Sequence, residues 1–357
     1  MSTAPHNPQH NTEQDEKLAP DEKLAPDMRH LVSLVREFPQ RRVLVIGDLV
    51  ADQFIYGEIS RISREAPVLI LRHERTETVP GGAANCALNL AALGAQVQLI
   101  GCLGTDAAGI AVREKLTRAK VDCSGIVSTP EARTTTKVRV LAGGTHSTRQ
   151  QVIRIDYDET THTADAQQRL LAELHARTSG VDACIVSDYN YGVASDAVIE
   201  NLRRYKNETG KPALVDSRYR LSAFAGFTAA TPNEDEVEGW RGSRIINDGD
   251  LEAAGIALRR ELNLQALLVT RGSRGMLLIE DKHSPHSLAI VGAHDAVDVT
   301  GAGDTVMATY TLALASNSTH TEAARLANHA GGIVVMKRGT ATATADELIA
   351  SLRQHEQ

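Results

Sequence analysis

Two rhythms of apolar and polar positions alternate along most of this chain. Short β-branched runs, such as RRVLVIGD at 41–48, place apolar residues side by side and stop at Gly-Asp. Runs of that length and composition suit parallel strands buried on both faces. Longer stretches, such as 107–118 and 164–178, repeat apolar residues at spacings of three and four, which suits helices with one face in the core. Read in order, the pattern predicts strands over 41–48, 96–104, 135–141, 151–156, 183–187, 213–216, 266–270, 275–280 and 287–291. It predicts helices over 81–94, 107–118, 164–178, 195–206, 249–262, 302–316, 321–337 and 345–354.

Strands alternating with helices of this length imply an α/β fold on a mostly parallel sheet. The alternating residues between 55 and 73 break that rhythm and predict a small antiparallel excursion, a lid with one wet face. Polar residues fall at the ends of several strands: Asp48, Ser187-Asp188, Asp216, Asn233 and Thr270. In open α/β sheets ligands bind at those carboxyl ends.

Residues 1–27 lack either rhythm. They are rich in Pro, Asn, Gln and charge, and they repeat DEKLAP at 15–20 and 21–26. Such a segment buries too little surface to offset its ordering entropy, so a disordered polar tail is expected, with a single domain over 28–357. Apolar residues make up 42% of the 357-residue chain and aromatics only 3%, so aliphatic side chains must fill the core. A net charge of −7 argues against a general nucleic-acid binder. It also means that a phosphorylated ligand needs a local basic pocket. The four cysteines form no C-x-x-C pair, which points to free thiols in a reducing compartment. The apolar stretch 87–103 is interrupted by Asn89, Gly94, Gln96 and Gln98 and reads as helix, turn and strand, not as a membrane span. The N-terminus lacks a signal-peptide core, and a cytoplasmic location is expected.

The candidate chemistry lies in DVTGAGDTVMA, 298–308. Gly301 and Gly303 permit a tight turn and leave no Cβ in the way. The N–H groups of Ala302, Gly303 and Asp304 would then emerge from a helix N-terminus, a preformed anion site. Neither a Walker A loop nor G-x-G-x-x-G is present. Alone, Asp304 suits a first-turn acid that complements the helix dipole. Beside an anion hole it also suits a base that takes a proton from a hydroxyl attacking a phosphoryl group.

D-x-T-G-A-G-D-T, together with PGGAANCALNLAALG at 80–94, resembles the ribokinase-type (phosphofructokinase-B) carbohydrate kinases. TPNEDEVE at 231–238 is similar to their N-x-x-E motif, and LLVTRGSRGM at 267–276 to their strand-turn-strand at the nucleotide. The resemblance spans residue 40 to the end. It implies a ribokinase-like three-layer sandwich with a mostly parallel central sheet and a small β-sheet lid, built from strands around 55–73 and 135–156. A narrower resemblance, to the D-glycero-D-manno-heptose 7-phosphate kinases, rests on GDLVADQFIYGEISRISREAPVLIL, TTKVRVL, QQVIRIDYDE and SDYNYG. It implies ATP-dependent phosphorylation at the anomeric C1 hydroxyl, giving the 1,7-bisphosphate used for lipopolysaccharide core precursors. Many such kinases are fused to a C-terminal nucleotidyltransferase, and here only the kinase half is expected.

The resemblance assigns roles by position. Asp304 would be the catalytic base, and Gly301, Ala302 and Gly303 the anion hole. Asn233 and Glu236 would organise Mg²⁺ through water; a plain helix cap is their alternative reading. Thr270, Gly272 and Gly275 would line the nucleotide, and Asn328, Gly331 and Gly332 its adenine pocket. Asp48 and Asp52 would accept from sugar hydroxyls, with Gly81, Gly82 and Asn85 against the same sugar. The 7-phosphate needs cations, and the candidates are Arg61, Arg64, Lys137, Arg139, Arg154 and Arg218. Arg61 and Arg64 lead because their lid segment would cover the acceptor. Tyr191 stands where these kinases often carry lysine, Asp216-Ser217-Arg218 replaces D-P-K, and 142–149 reads as an insertion. A monovalent cation beside the anion hole is left open. A homodimer through the apolar lid face (Ile55, Ile59, Val68, Ile70) is expected, with neither nucleic acid nor membrane as partner. Another sugar kinase of this family, and a non-catalytic sugar or nucleotide sensor on the same fold, are the alternatives.

Overall fold

The computed structural model describes residues 24–129, 132–143, 149–158, 162–292 and 296–355. The first element, α1 (Pro26–Glu37), has proline in its first turn, where the missing N–H costs nothing. It buries Met28, Leu31, Val32 and Val35, and Leu24 before it is buried too. The boundary expected at residue 28 is therefore corrected. The second DEKLAP copy ends inside the packed fold, because Leu24 and the first turn of α1 share one apolar face.

The chain continues through β1 (Arg42–Gly47), β2 (Leu49–Ile62), β3 (Leu69–Gly82), α2 (Ala83–Ala92), β4 (Gln96–Gly104), α3 (Ala107–Arg118), β5 (Ile126–Thr129), β6 (Thr136–Gly143) and β7 (Gln150–Tyr157). Then follow α4 (Ala164–Arg177), β8 (Ala183–Asp188), α5 (Asp196–Thr209), β9 (Ala213–Ser217), β10 (Ala229–Ala230), α6 (Glu234–Arg241), α7 (Asp248–Glu261) and β11 (Ala266–Thr270). The last elements are β12 (Met276–Glu280), β13 (His286–Leu288), α8 (Ala302–Ala315), α9 (His320–Val334) and α10 (Ala345–Gln354). The helix expected to reach 337 stops at Val334, and the next carbonyl, that of Val335, accepts the N–H groups of Val297 and Asp298.

Nine strands form one sheet in the order β13-β12-β11-β10-β9-β8-β1-β4-β5. Only β12 and β13 run antiparallel to their neighbours. Alternate residues of β1 enter opposite layers. Val43 and Val45 join a core with α1, α2, α3, α8, α9 and α10; Leu44 and Ile46 join one with α4, α5, α6 and α7. The strand order reverses between β1 and β8, which opens a crevice at their carboxyl ends.

The lid is a second sheet, β3-β2-β6-β7. The excursion expected at 55–73 is the tip of a longer hairpin, whose base pairs Leu49 with Gly82. Its β2–β6 pair is parallel, so the lid is mixed and not wholly antiparallel. Residues 144–148 of the expected insertion lie outside the described residues. Among the described residues, no helix is long and apolar enough to cross a membrane.

Candidate active site

The glycine turn before α8 takes a backbone shape that glycine adopts readily and other residues rarely do. Gly301 has φ of 79°, a left-handed conformation, and a Cβ there would meet Nδ2 of Asn85 at 2.5 Å. The Ala302 N–H bonds back to the Val299 carbonyl at 3.2 Å, so it is not free for an anion. This corrects the three-donor expectation. The N–H groups of Gly303 and Asp304 are left without a backbone acceptor among the described residues, at the positive end of the helix. A Cβ on Gly303 would meet nothing within 4 Å.

Two cavities meet at this helix end. One, of about 330 Å³, lies under the lid and is lined by Asp304, Asp52, Gly81, Gly82 and Asn85, among others. The other, of about 760 Å³, lies between β12 and the α8–α9 pair and includes Gly272, Gly275, Asn328, Gly331 and Gly332. Asn233, Thr270, Val299 and Gly303 border both. An acceptor in the first and a donor in the second would face each other across Gly303.

Asp304 is 6% exposed. Its Oδ2 accepts from Nδ2 of Asn85 at 2.6 Å, and its Oδ1 from the Tyr189 hydroxyl at 3.4 Å. Burial pushes its pKa up to about 7 against the Asn85 hydrogen bond, and the Asp216 and Asp52 charges push the same way. That value lies where a general base works best. Asn85 spends its amide on Asp304, so it positions this carboxylate while lining the smaller cavity.

Asp48 departs from expectation. It is 2% exposed and does not border the cavity. Its Oδ2 accepts the N–H groups of Tyr189 and Tyr191 at 2.8 and 3.0 Å, and its Oδ1 that of Val193 at 3.1 Å. The carboxylate is consumed in tying the loop after β8 to the end of β1, so it is not available to a sugar. Asp52 does border the cavity and pairs with Arg139.

The cations sort by strand position. Lys137, Arg139, Arg154 and Arg218 border the smaller cavity, whereas Arg61 and Arg64 do not. Arg61 lies nine residues beyond Asp52 along β2, roughly 30 Å at strand rise, and both arginines are exposed at the hairpin tip. Their leading place is therefore corrected. Arg139 is neutralised by Asp52, and Arg154 by a two-pronged pair with Asp156 at 2.7 and 2.6 Å. Among the described residues, Lys137 and Arg218 make no ion pair. Burial holds the Lys137 ammonium below its usual range, with Asp52 opposing, and its Nζ lies 5.1 Å from the Tyr189 ring centre.

Asn233 caps α6 in a reciprocal box with Glu236: Oδ1 accepts the Glu236 N–H at 2.8 Å, and Glu236 accepts the Asn233 N–H at 2.9 Å. The cap reading is thus realised, and the pair still borders the cavity. Burial, with Asp216 adding to it, pushes Glu236 up to about 7; burial pushes Asp216 up to about 6. The Asp216 carboxylate has no hydrogen bond among the described residues. Both acids are half-buried, and the Asp216 charge raises the proton affinity of Glu236; such a pair suits a hydrated divalent cation. The sequence reading marked Asp216 as a strand end and as part of the Asp216-Ser217-Arg218 departure, gave it no role in the site, and passed over Tyr189, Thr231 and Thr340, which also border the cavity.

The pfkB family carbohydrate kinase model matches residues 40–347. The bifunctional protein HldE of Aeromonas salmonicida (strain A449) is 40% identical over 317 residues, 88% of this chain and 64% of that protein. HldE of Nitrosococcus oceani is 41% identical over 312 residues, 87% of this chain and 64% of its own length. The chain thus spans just under two thirds of these relatives. Two solved structures share the fold. Arabidopsis thaliana ribokinase complexed with ribose and ATP has a TM-score of 0.67 at 20% identity, covering 87% of this chain and 98% of its own. Escherichia coli phosphofructokinase-2 in complex with substrates and products has a TM-score of 0.72 at 18% identity, covering 89% and 100%. With its ribokinase-like α/β fold and this match along most of its length, the chain belongs to the pfkB family of carbohydrate kinases.

Proposed function

We propose that this chain transfers the γ-phosphoryl group of ATP to the C1 hydroxyl of D-glycero-β-D-manno-heptose 7-phosphate, releasing ADP and the 1,7-bisphosphate. One observation carries the reading. The cavity that holds Asp304 also holds Lys137 and Arg218, cations that make no ion pair among the described residues. A phosphorylated acceptor needs such cations at one end and a base at the other. The likeness to the HldE proteins supports the heptose.

In this reading ATP occupies the larger cavity, with its γ-phosphate at Gly303. Asp304 takes the C1 proton through Oδ1, since Asn85 occupies Oδ2. The C1 oxygen attacks the γ-phosphorus, and the bond to the β,γ-bridging oxygen breaks with its electron pair leaving on ADP. The Gly303 and Asp304 N–H groups face the charge that develops on the phosphoryl oxygens, each worth about 3 kcal/mol by analogy with oxyanion holes. Mg²⁺, when bound, would neutralise phosphate charge; Asp216 and Glu236 would hold it through water. The lid excludes water from the γ-phosphate.

The same reading makes the lid the interface of a homodimer. Of the expected face, Ile59 and Val68 are exposed and Ile55 and Ile70 are half-buried; Ile62, Leu69, Ile153 and Ile155 are exposed on the lid as well. A one-chain mass by light scattering at micromolar protein removes the dimer without touching the kinase. For the substrate, ADP release is measured with heptose 7-phosphate, unphosphorylated heptose, ribose and fructose 6-phosphate. A kcat/KM for heptose 7-phosphate at least tenfold above the others supports the proposal. Equal or better turnover of any other sugar overturns it.

A further inference from the structure

A buried chain of amide and hydroxyl groups runs from Asp304 away from both cavities. Asn85 and Asn89 stand one turn apart on α2, and Thr305 follows Asp304 on α8. Asn85 Nδ2 donates to Asp304 Oδ2 at 2.6 Å. Asn89 Nδ2 donates to the Asn85 backbone carbonyl at 3.0 Å and toward Asn85 Oδ1 at 3.4 Å. The Thr305 hydroxyl donates to Asn89 Oδ1 at 2.8 Å and lies 3.3 Å from the Gly301 carbonyl. Asn89 and Thr305 are 0% exposed, so water is not at hand to replace a partner lost there; Asn85 is 1% exposed and borders the smaller cavity.

We infer that Asn89 and Thr305 are positioning residues that lock the Asn85 amide with its nitrogen toward Asp304 and so hold the base in its ionised form. The inference rests on the reading of Asp304 as the base. The direction of each bond follows from elementary donor and acceptor rules. A backbone carbonyl only accepts, so the Asn89 atom beside the Asn85 carbonyl is its NH₂ nitrogen. Asn89 Oδ1 then faces Thr305, whose single hydroxyl proton goes to it. The second Asn89 hydrogen points at Asn85 Oδ1, so the Asn85 nitrogen is the atom left to face Asp304. At 3.4 Å this middle contact is long, and its weight lies in polarity. A flipped Asn85 would set nitrogen against nitrogen at Asn89 and an amide oxygen against a carboxylate oxygen at Asp304.

The lock selects between protonation states. A carboxylate needs a donor, which the Asn85 nitrogen is. A neutral Asp304 could instead donate to a flipped Asn85 oxygen. Without Asn89, Asn85 is free to flip, and the protonated acid gains a partner that the lock denies it. The charged or titratable groups that also face Asp304 are Asp52 on β2, Cys86 on α2, Asp216 on β9 and Tyr189 after β8. None belongs to the chain of amides, so each stays in place when the chain is cut.

The test uses Asn89→Leu, which keeps the volume and removes the amide, and Thr305→Val, which removes only the hydroxyl. The pH profile of kcat/KM is recorded with ATP and heptose 7-phosphate, or with whichever sugar the acceptor panel selects. Asn89→Leu is expected to move the acid limb up by about one pH unit. It should cut kcat/KM about tenfold at pH 6 and leave it near the unmodified protein at pH 9. Thr305→Val should move the limb the same way by less, and Thr305→Ser should bring it back. If Asn89→Leu does not fold, the Thr305→Val limb decides. An unmoved limb in folded variants, with only the melting temperature lowered, overturns the inference. Asp304→Asn is run beside them. Retained activity there removes the base reading itself, whereas an inactive Asp304→Asn with an unmoved Asn89→Leu limb removes the lock alone.

Discussion

The Tyr189 N–H donates to Oδ2 of Asp48 at 2.8 Å, which joins the loop after β8 to the end of β1 at the point where the strand order reverses. The same loop turns the Tyr189 hydroxyl toward Asp304. Asp48 therefore acts on the site through the backbone of its neighbour.

Removing the Asp48 carboxylate leaves the N–H groups of Tyr189, Tyr191 and Val193 without their acceptor. Each buried orphan costs about 1–3 kcal/mol, and relief of a buried charge returns part of that. Asp48→Ala is expected to lose about 3 kcal/mol in urea unfolding. Its kcat should fall with Tyr189 displaced, while KM for ATP stays within about twofold. A raised sugar KM with stability unchanged would instead make Asp48 a direct sugar ligand.

The acid limb of kcat/KM should lie near pH 7, because burial pushes Asp304 up to about 7. Below that pH the carboxyl is protonated and cannot take a proton; above it the base is ready. The limb should vanish together with activity in Asp304→Asn, which removes a base worth roughly 10²- to 10⁴-fold. Rates that stay flat between pH 5.5 and 8.5 would exclude Asp304 as the titrating group.

The same raised pKa makes Asp304 a stability cost at working pH. Its folded value lies above the value of an unfolded Asp, so the folded chain holds the proton more tightly. Stability is therefore highest below the unfolded pKa and falls as pH rises toward about 7. Asp304→Asn should be more stable than the unmodified chain at pH 8, by up to about 4 kcal/mol. The gain should shrink toward zero at pH 4. Thermal melts at the two pH values read this directly, and a destabilised variant at pH 8 would contradict it.

Local signals made the glycine turn before α8 legible in the sequence. Gly301, Gly303 and Asp304 fall within one turn of helix, and Asn233 and Glu236 within one capping box, so their spacing suffices to place them. The α/β layers were legible too, since β1 and β8 each carry four successive apolar residues, Val43 to Ile46 and Ala183 to Val186. The cations were not, because their placement depends on strand register: Lys137 stands opposite Asp52 on β2 and Asp156 on β7 in the backbone register. Arg61 has the same chemistry but stands too far along its strand. Asp48 misled for a similar reason. Its partners lie more than 140 positions away, in a loop whose left-handed Asn190 and Gly192 aim alternate N–H groups at it.

Gly303 separates space from strain. Its Cβ position is open and its φ is not in the left-handed region, so Gly303→Ala should melt within about 2 °C of the unmodified chain. The added methyl would stand where the two cavities meet, against the transferring phosphoryl group. We expect kcat to fall at least tenfold. Gly301→Ala, at φ of 79° and against Asn85, should lose both activity and stability. Equal activity in Gly303→Ala would move the phosphoryl position away from this helix end.

His329 carries the clearest pH dependence outside the site. It is buried on α9, with Nδ1 2.9 Å from the Ser351 hydroxyl on α10 and its ring 5.7 Å from that of His355. Burial, with His355 and Arg325 adding to it, lowers its pKa to about 4. A folded value below the unfolded 6.5 means that the unfolded chain takes up the proton first. The contribution is fully present above pH 6.5 and is lost as pH falls toward about 4, by on the order of 3 kcal/mol. His329→Gln cannot titrate and should flatten this part of the stability profile between pH 7 and 4.5 in urea unfolding. Carboxylates would still supply their own slope, so the comparison is the difference between the two proteins. Parallel profiles would mean that α9 and α10 separate before His329 is protonated, which would make the α9–α10 contact the weaker link.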